Sequence, residues 1–347
     1  MQNPTKDKLH AEEDSQASSR KQDHIDLAFK SRVGNDQIDN RFYYEPILSP
    51  HPNGEMSMPS KICGRTMQFP IWVSSMTGGT EKASVINENL AKVCGEFGLG
   101  MGLGSCRQLL YEDKRVHEFD VRKYIRDQPL LVNLGIAQIE ELLQKDEVDR
   151  IDQLISKLDA DGLIIHVNPL QEWLQPEGDR IKRSSLDSIK SLLGLAKYPV
   201  IVKEVGQGFG KESLRQLLAL PLEAVDLAGF GGTNFSMLEL MRSDQVQYDS
   251  YQKVVQLGHT CEEMIGMINS YHDAEEGMIQ TKKIIISGGV KDFLDGYYLM
   301  QLCKMPSIYA QASGFLKHAT DYEALKTYTN YQIEGLKMAK AFLRVKS

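Results

Sequence analysis

The chain has 347 residues, 41% of them hydrophobic, with 28 glycines and a formal charge of -7. That apolar share supports a sizeable core and excludes global disorder, while the acidic balance argues against nucleic acid or an anionic membrane as a general partner. Cys63, Cys94, Cys106, Cys261 and Cys303 form no CxxC pair, so neither a zinc site nor a disulfide framework is suggested.

Residues 1 to 19 are polar and predict a disordered tail. Lys21 to Lys30 carries Ile25, Leu27, Ala28 and Phe29 and predicts a short helix, the start of a flexible arm and lead-in over 20–67. From residue 68 onward short apolar runs alternate with longer amphipathic stretches. The predicted strands are Ile71 to Ser74, Gly100 to Leu103, Leu130 to Leu134, Leu163 to Val167, Val200 to Lys203, Ala224 to Leu227, Ile284 to Ile286 and Ile308 to Ala310. Between them the pattern predicts helices over Ser84 to Phe97, Ile136 to Leu158, Ser184 to Ala196, Lys211 to Leu218, Glu262 to Ser270 and Phe293 to Cys303, with a last one over Asp321 to Val345. Eight such units predict an α/β fold, a (β/α)8 TIM barrel over 68–347. An open doubly wound sheet is the alternative, but the regular repetition favours closure, and no second domain boundary stands out. No apolar run approaches a membrane span, and the charged first thirty residues lack a signal-peptide core, so a cytoplasmic location is expected.

In such a barrel the chemistry gathers at the carboxyl ends of the strands. Two phosphate-loop lookalikes fail: the glycines from Gly98 to Gly104 do not fit G-x-G-x-x-G, and Gly210-Lys211 has Val205 where the first Gly belongs and Glu212 where Ser or Thr belongs. Better is IIISGGVKDFLDG, a strand running into Ser287-Gly288-Gly289. Glycines there let the backbone approach a phosphate, although an ordinary strand–helix turn fits the spacing as well. Its partner would be Gln311 to Gly314. Lys203, ending the fifth strand, is suited to an anion or an electron-rich ring, against a plain salt bridge to Glu204 or Glu177. Thr233 offers a hydroxyl among glycines, or a helix cap. HVNPLQEWLQPEGDR (His166 to Arg180) sets four polar groups directly after a buried strand, and its Glu172 is the best metal-ligand candidate. Arg20 and Lys21 with His24 read as solvated surface, or as a lid that closes cations over a diphosphate.

Together RKQDHIDLA (from Arg20), SSMTGG (from Ser74), INENLA (from Ile86), GLGSCR (from Gly102), HVNPLQEWLQPEGDR, VIVKEVG (from Val200), VDLAGFGGTN (from Val225) and ISGGV (from Ile286) resemble, in order, the type 2 isopentenyl-diphosphate Delta-isomerases, members of the FMN-binding barrel group. The resemblance implies an FMN-dependent isomerase of isopentenyl and dimethylallyl diphosphate that uses Mg2+ and takes NADPH as reductant. It further implies a homo-oligomer, a tetramer or octamer, with neither a nucleic-acid nor a membrane partner. By it, Ser75, Met76 and Thr77 line the flavin ring with Ser105 and Asn133. Lys203 contacts the ring or ribityl chain, and Thr233 the ribityl chain or phosphate. Gly288, Gly289, Ala312 and Ser313 hold the phosphate. Arg20, Lys21, Ser105 and Arg107 grip the substrate diphosphate, Gln171 sits at the reacting carbons, and Glu172 binds magnesium. His24, His166 and Asn168 complete the substrate pocket. Ala228 departs from the pattern, standing where some relatives carry a Ser, so any contact there is through backbone.

The implied reaction moves a proton with no net redox change. It builds tertiary cation character, for which an electron-rich, dry site is needed. A flavin oxidoreductase of a hydroxy acid or dihydro-substrate on the same barrel is the rival enzyme, and a non-catalytic flavin- or phosphate-binding protein is the other alternative. The oxidases of that kind pair a late His with an Arg, whereas His259, His272 and His318 here sit in no such motif.

Overall fold

The computed structural model describes residues 17–54, 56–75, 78 and 80–346. It divides into two units, one of residues up to Tyr43 with Lys346, the other Tyr44–Val345. The tail expected over 1–19 lies outside the described residues up to position 16. In the first unit a helix covers 17–27, starting before and ending short of the predicted Lys21–Lys30 segment. Arg41 pairs with Asp39 there at 2.7 Å.

The second unit is a closed barrel of eight parallel strands in the order β7-β8-β1-β2-β3-β4-β5-β6. These are β1 (Ile71–Val73), β2 (Gly100–Gly102), β3 (Leu130–Gly135), β4 (Gly162–His166), β5 (Val200–Lys203), β6 (Ala224–Asp226), β7 (Ile284–Ile286) and β8 (Ser307–Gln311). Their near-continuous burial explains why they read as apolar runs without alternation, since helices cover one face and the barrel interior fills the other. Gly100 makes room for Trp72, because a Cβ there would lie 2.5 Å from the indole ring.

An antiparallel hairpin, Ser60–Ile62 with Arg65–Met67, closes the amino-terminal end of the barrel. Ile62 and Met67 pack among Trp72, Leu131, Ile164, Ile201, Ile285 and Ile308, and burying each contributes about 2 kcal/mol. Arg65 pairs with Asp161, just before β4, and the Cys63 N–H donates to Glu223, just before β6, at 2.7 Å. This hairpin was not expected from the sequence.

The helices are α1 (Glu81–Phe97), α2 (Arg122–Ile125), α3 (Ile136–Gln144), α4 (Asp149–Lys157), α5 (Pro169–Leu174), α6 (Ser185–Leu193), α7 (Lys211–Leu218), α8 (Phe235–Arg242), α9 (Gln245–Tyr251), α10 (Cys261–Glu275), α11 (Phe293–Leu302), α12 (Ser313–Leu316) and α13 (Tyr322–Phe342). Thr80 caps α1 by accepting from Ala83 N–H at 3.1 Å, and Gly98 ends it in the left-handed conformation. The single helix predicted over Ile136 to Leu158 is two helices, because Asp146 takes a left-handed φ of 55° and breaks the ladder. The last helix stops at Phe342, where the chain turns extended over Leu343–Val345. Among the described residues no helix is long and apolar enough to cross a membrane.

Candidate active site

At the carboxyl ends of β1 and β5 to β8 lies a cavity of about 400 Å³. Ser74 and Ser75 enter it from β1, Lys203 from β5, and Gly231, Gly232 and Thr233 from the turn after β6. Ser287, Gly288, Gly289 and Lys291 come from β7, and Gln311, Ala312, Ser313 and Lys317 from β8. Three lysines and no carboxylate appear among the described lining residues of a chain whose net charge is -7. Gly288 and Gly289 hold φ of 88° and 71°, a region L side chains avoid. Their N–H groups make no hydrogen bond among the described residues. The hydroxyls of Ser74 and Ser75 are likewise buried without partners. Such a wall of free donors and cations suits an anion.

Below the cavity a row of polar residues crosses three strands in register, His166 beside Lys203 and Lys203 beside Asp226. Lys203 forms neither of the ion pairs considered from the sequence. Its Nζ donates to the Glu204 carbonyl at 2.8 Å, while Glu177 pairs with Arg242. Burial, and then the Lys203 ammonium, push His166 from 6.5 down to about 4. Asn133 Nδ2 donates to Leu103 O at 3.1 Å, which leaves its Oδ1 facing His166 Nδ1 at 2.8 Å. Nδ1 therefore carries the proton of a neutral imidazole. Burial raises the Asp226 carboxyl, opposed by the Lys203 ammonium and the Ser287 hydroxyl. Glu204 is raised by burial too, although one of its oxygens accepts from Gly206, Gln207 and Gly208 N–H at 2.6–2.8 Å.

The residues after β4 form a compact knot. Asn168 Nδ2 donates to Gln171 Oε1 at 3.1 Å and to Glu172 Oε1 at 3.0 Å, and its own Oδ1 is buried without a partner among the described residues. The Asp179 N–H donates to Glu172 Oε2 at 2.7 Å. Gln171 Nε2 donates to Glu239 Oε1 at 3.3 Å, and Arg242 holds the other Glu239 oxygen. Asp179 pairs with Arg107 at 2.8 Å, joining the turn after β2 to the knot. Each Glu172 oxygen keeps a lone pair for a cation. Among the described residues no cluster of three His, Cys, Asp or Glu side chains offers an all-protein metal site.

The structure thus gathers Ser75, Lys203, Thr233, Gly288, Gly289, Ala312 and Ser313 around one cavity. Asn133, His166, Asn168, Gln171, Glu172 and Arg107 join in the flanking network. Thr233 is not the cap of α8; Asn234 is, accepting from Met237 N–H at 2.9 Å. Arg107 also lines a separate hollow with Tyr111 and Gln138, and Ser105 is exposed outside the main cavity. Met76 and Thr77 lie outside the described residues. Arg20, Lys21 and His24 are exposed on the first unit's helix, which is described by itself. The sequence reading missed Asp226, Glu239 and Lys317 as site neighbours. Only the strand-end position of Asp226 in VDLAG could have drawn attention to it.

No protein-family model matches the chain. Among solved structures, a flavocytochrome b2 variant with pyruvate bound is similar over 87% of this chain and 72% of its own, at 12% identity and a TM-score of 0.59. A mandelate oxidase variant with an FMN adduct aligns over 88% of both chains, at 12% identity and a TM-score of 0.53. These likenesses show the barrel. Sequence relatives reach further. An isopentenyl-diphosphate delta-isomerase of Rickettsia felis is 34% identical over 310 residues, 88% of this chain and 86% of the relative. The Cronobacter sakazakii protein of that name is 34% identical over 336 residues, 94% of this chain and 92% of its own. The chain therefore belongs to the isopentenyl-diphosphate delta-isomerase family, and its closed barrel agrees with the type 2 branch that its motifs resemble.

Proposed function

We propose that the chain interconverts isopentenyl and dimethylallyl diphosphate, with FMN in the lysine-lined cavity and a magnesium ion on the substrate diphosphate. Family membership supports this, and one observation carries it. The carboxylate-free cavity of glycine turns and lysines adjoins, through the His166–Lys203 strand pairing, a loop that clusters Asn168, Gln171 and Glu172.

The donor set fits a flavin mononucleotide. The free N–H groups of Gly288 and Gly289, with Ala312 and Ser313 opposite, suit its phosphate. The unpartnered hydroxyls of Ser74 and Ser75 suit the polar edge of a ring; Met76, Thr77, Ser105 and Asn133 join them in this reading from the family resemblance alone. Lys203 serves the ring or ribityl chain, and Thr233 the ribityl chain or phosphate. When bound and reduced by NADPH, a flavin supplies an electron-rich face and a nitrogen that exchanges a proton.

The chain's own residues position and desolvate. Neutral His166 keeps a second cation out of the substrate pocket, since burial opposes its protonation. Gln171, held between Asn168 and Glu239, orients the alkene or relays a proton, and Glu239 is the carboxylate within its reach. Glu172 supplies one magnesium ligand, the diphosphate and water the others, as this cation prefers. Arg107 grips the diphosphate from beside the knot. Arg20, Lys21 and His24 enter this reading from the family resemblance alone, as do the homo-oligomer and the cytoplasmic setting. No histidine is among the described residues of the cavity. His259 pairs with Glu263, and His318 stacks on Tyr328. This counts against a hydroxy-acid oxidase.

The test is an anaerobic incubation with FMN, magnesium, NADPH and isopentenyl diphosphate, followed by proton NMR. Dimethylallyl diphosphate is expected only when the flavin is reduced. A protein that binds and reduces flavin yet forms no product overturns the reading.

A further inference from the structure

Beneath the cavity two buried side chains tie β6 to β7. Ser287 Oγ donates to one oxygen of Asp226 and accepts from the Ala228 N–H at 3.0 Å. Asp226 is 1% exposed and Ser287 3%, so neither bond competes with bulk water. Both residues stand at the roots of loops that touch backbone to backbone. The Gly229 N–H donates to Ser287 O at 2.7 Å. A Cβ on Gly288 would fall 2.2 Å from Gly229 N.

The same two loops carry unfavourable backbone. Ala228 holds φ at 42°, beside Gly288 and Gly289 in the left-handed region. For a residue with a Cβ this conformation costs about 1 kcal/mol and persists only where surroundings impose it. Here the Ala228 N–H is fixed by the Ser287 hydroxyl, which the Asp226 carboxylate orients in turn. The hydroxyl thus donates and accepts within the protein at the residue that opens the Gly288–Gly289 turn, whose carbonyls are held besides by the Gly229 N–H on Ser287 O and by the Cys261 thiol on Ser287 O and Gly288 O.

We propose that Asp226 and Ser287 form a positioning latch that sets the Gly288–Gly289 turn for the phosphate of a bound flavin mononucleotide. The inference rests on the FMN reading above. Asp226 acts on the ligand only through Ser287 and the turn. Breaking the latch lets the free N–H groups of the turn drift, while Ser74 and Ser75, carried by β1, are not touched; Asp226 also stands beside Lys203, so Ser287→Ala is the change confined to the latch.

The test compares dissociation constants of FMN and riboflavin, which lacks the phosphate, for the full-length protein and three variants. For Ser287→Ala and for Asp226→Ala, FMN is expected to bind about tenfold or more weakly. For Ser287→Ala, riboflavin should stay within about twofold of its wild-type value, because the ring end is untouched; Asp226→Ala also removes the carboxylate beside Lys203, so it is read through the ratio of FMN to riboflavin affinity. Asp226→Asn retains an oxygen that accepts from Ser287 and should keep most of the preference for FMN. The bound FMN should also show a shifted 31P resonance in the two Ala variants. An unchanged FMN preference in both Ala variants overturns the latch. Equal weakening of FMN and riboflavin overturns it too, since the change would then be general loosening. A wild-type protein that does not distinguish the two flavins overturns the FMN reading itself, and the latch with it.

Discussion

His166 makes the account testable through acid stability. The imidazole lies at the end of β4, neutral, with Nδ1–H donated to Asn133 Oδ1 at 2.8 Å. Burial, and then Lys203, lower it from 6.5 to about 4. Between those values the unfolded chain binds a proton that the folded chain refuses, so stability falls as pH falls. A displacement of about 2.5 pH units is worth about 3 kcal/mol when the whole window is crossed. The assay is urea unfolding of the wild type and His166→Gln at steps between about pH 7.5 and 4.5. The stability difference between them should be flat above about pH 6.5. Below it, the wild type should lose about 1.4 kcal/mol per pH unit relative to the variant. Parallel curves would refute the reasoning, since the ring would then be reached by water and titrate normally. A slope of opposite sign would mean that a carboxylate, not a cation, faces the ring.

Three further outcomes bear on the site. Gln171→Ala should lower kcat about 100-fold with flavin retention unchanged, measured by coupled turnover and flavin absorbance; undiminished turnover removes Gln171 from the chemistry. Glu172→Gln should raise the magnesium concentration for half-maximal rate about tenfold at constant FMN affinity. An unmoved magnesium titration would show that the metal sits elsewhere. Gly288→Ala places a Cβ 2.1 Å from Gly229 O, and should lower stability by about 2 kcal/mol and abolish FMN retention. Co-purification of this variant with a full complement of FMN would contradict the placement of the phosphate.

The barrel was legible because its strands are buried on both faces and therefore read as apolar runs without alternation, such as Ile71–Val73 and Ile284–Ile286. What escaped notice lacked that signal. The hairpin at Ser60–Met67 has three residues per strand, too few for alternation to show. Helices α8 and α9 carry exposed Leu238, Met241 and Val246 that blur any apolar stripe. The break in Ile136–Leu158 depends on one left-handed Asp, a conformation that no periodicity encodes. At the site, Lys203 and the Gly288–Gly289 turn were legible from their position after strands. Asp226 was not, because its importance lies in the register that sets it beside Lys203 and in the hydroxyl of Ser287, which is distant in sequence. Glu239 reaches Gln171 across 68 residues of sequence, from a helix that was not foreseen.

The proposed reaction consumes no electrons, and that is its most exposed point. The decisive measurement is the number of dimethylallyl diphosphate molecules formed per NADPH oxidised, with oxygen excluded and isopentenyl diphosphate in excess. The account predicts many products for each NADPH, because the flavin is reduced once and stays reduced. One product per NADPH, or a flavin reoxidised as substrate disappears, would contradict it and establish a redox reaction on this barrel.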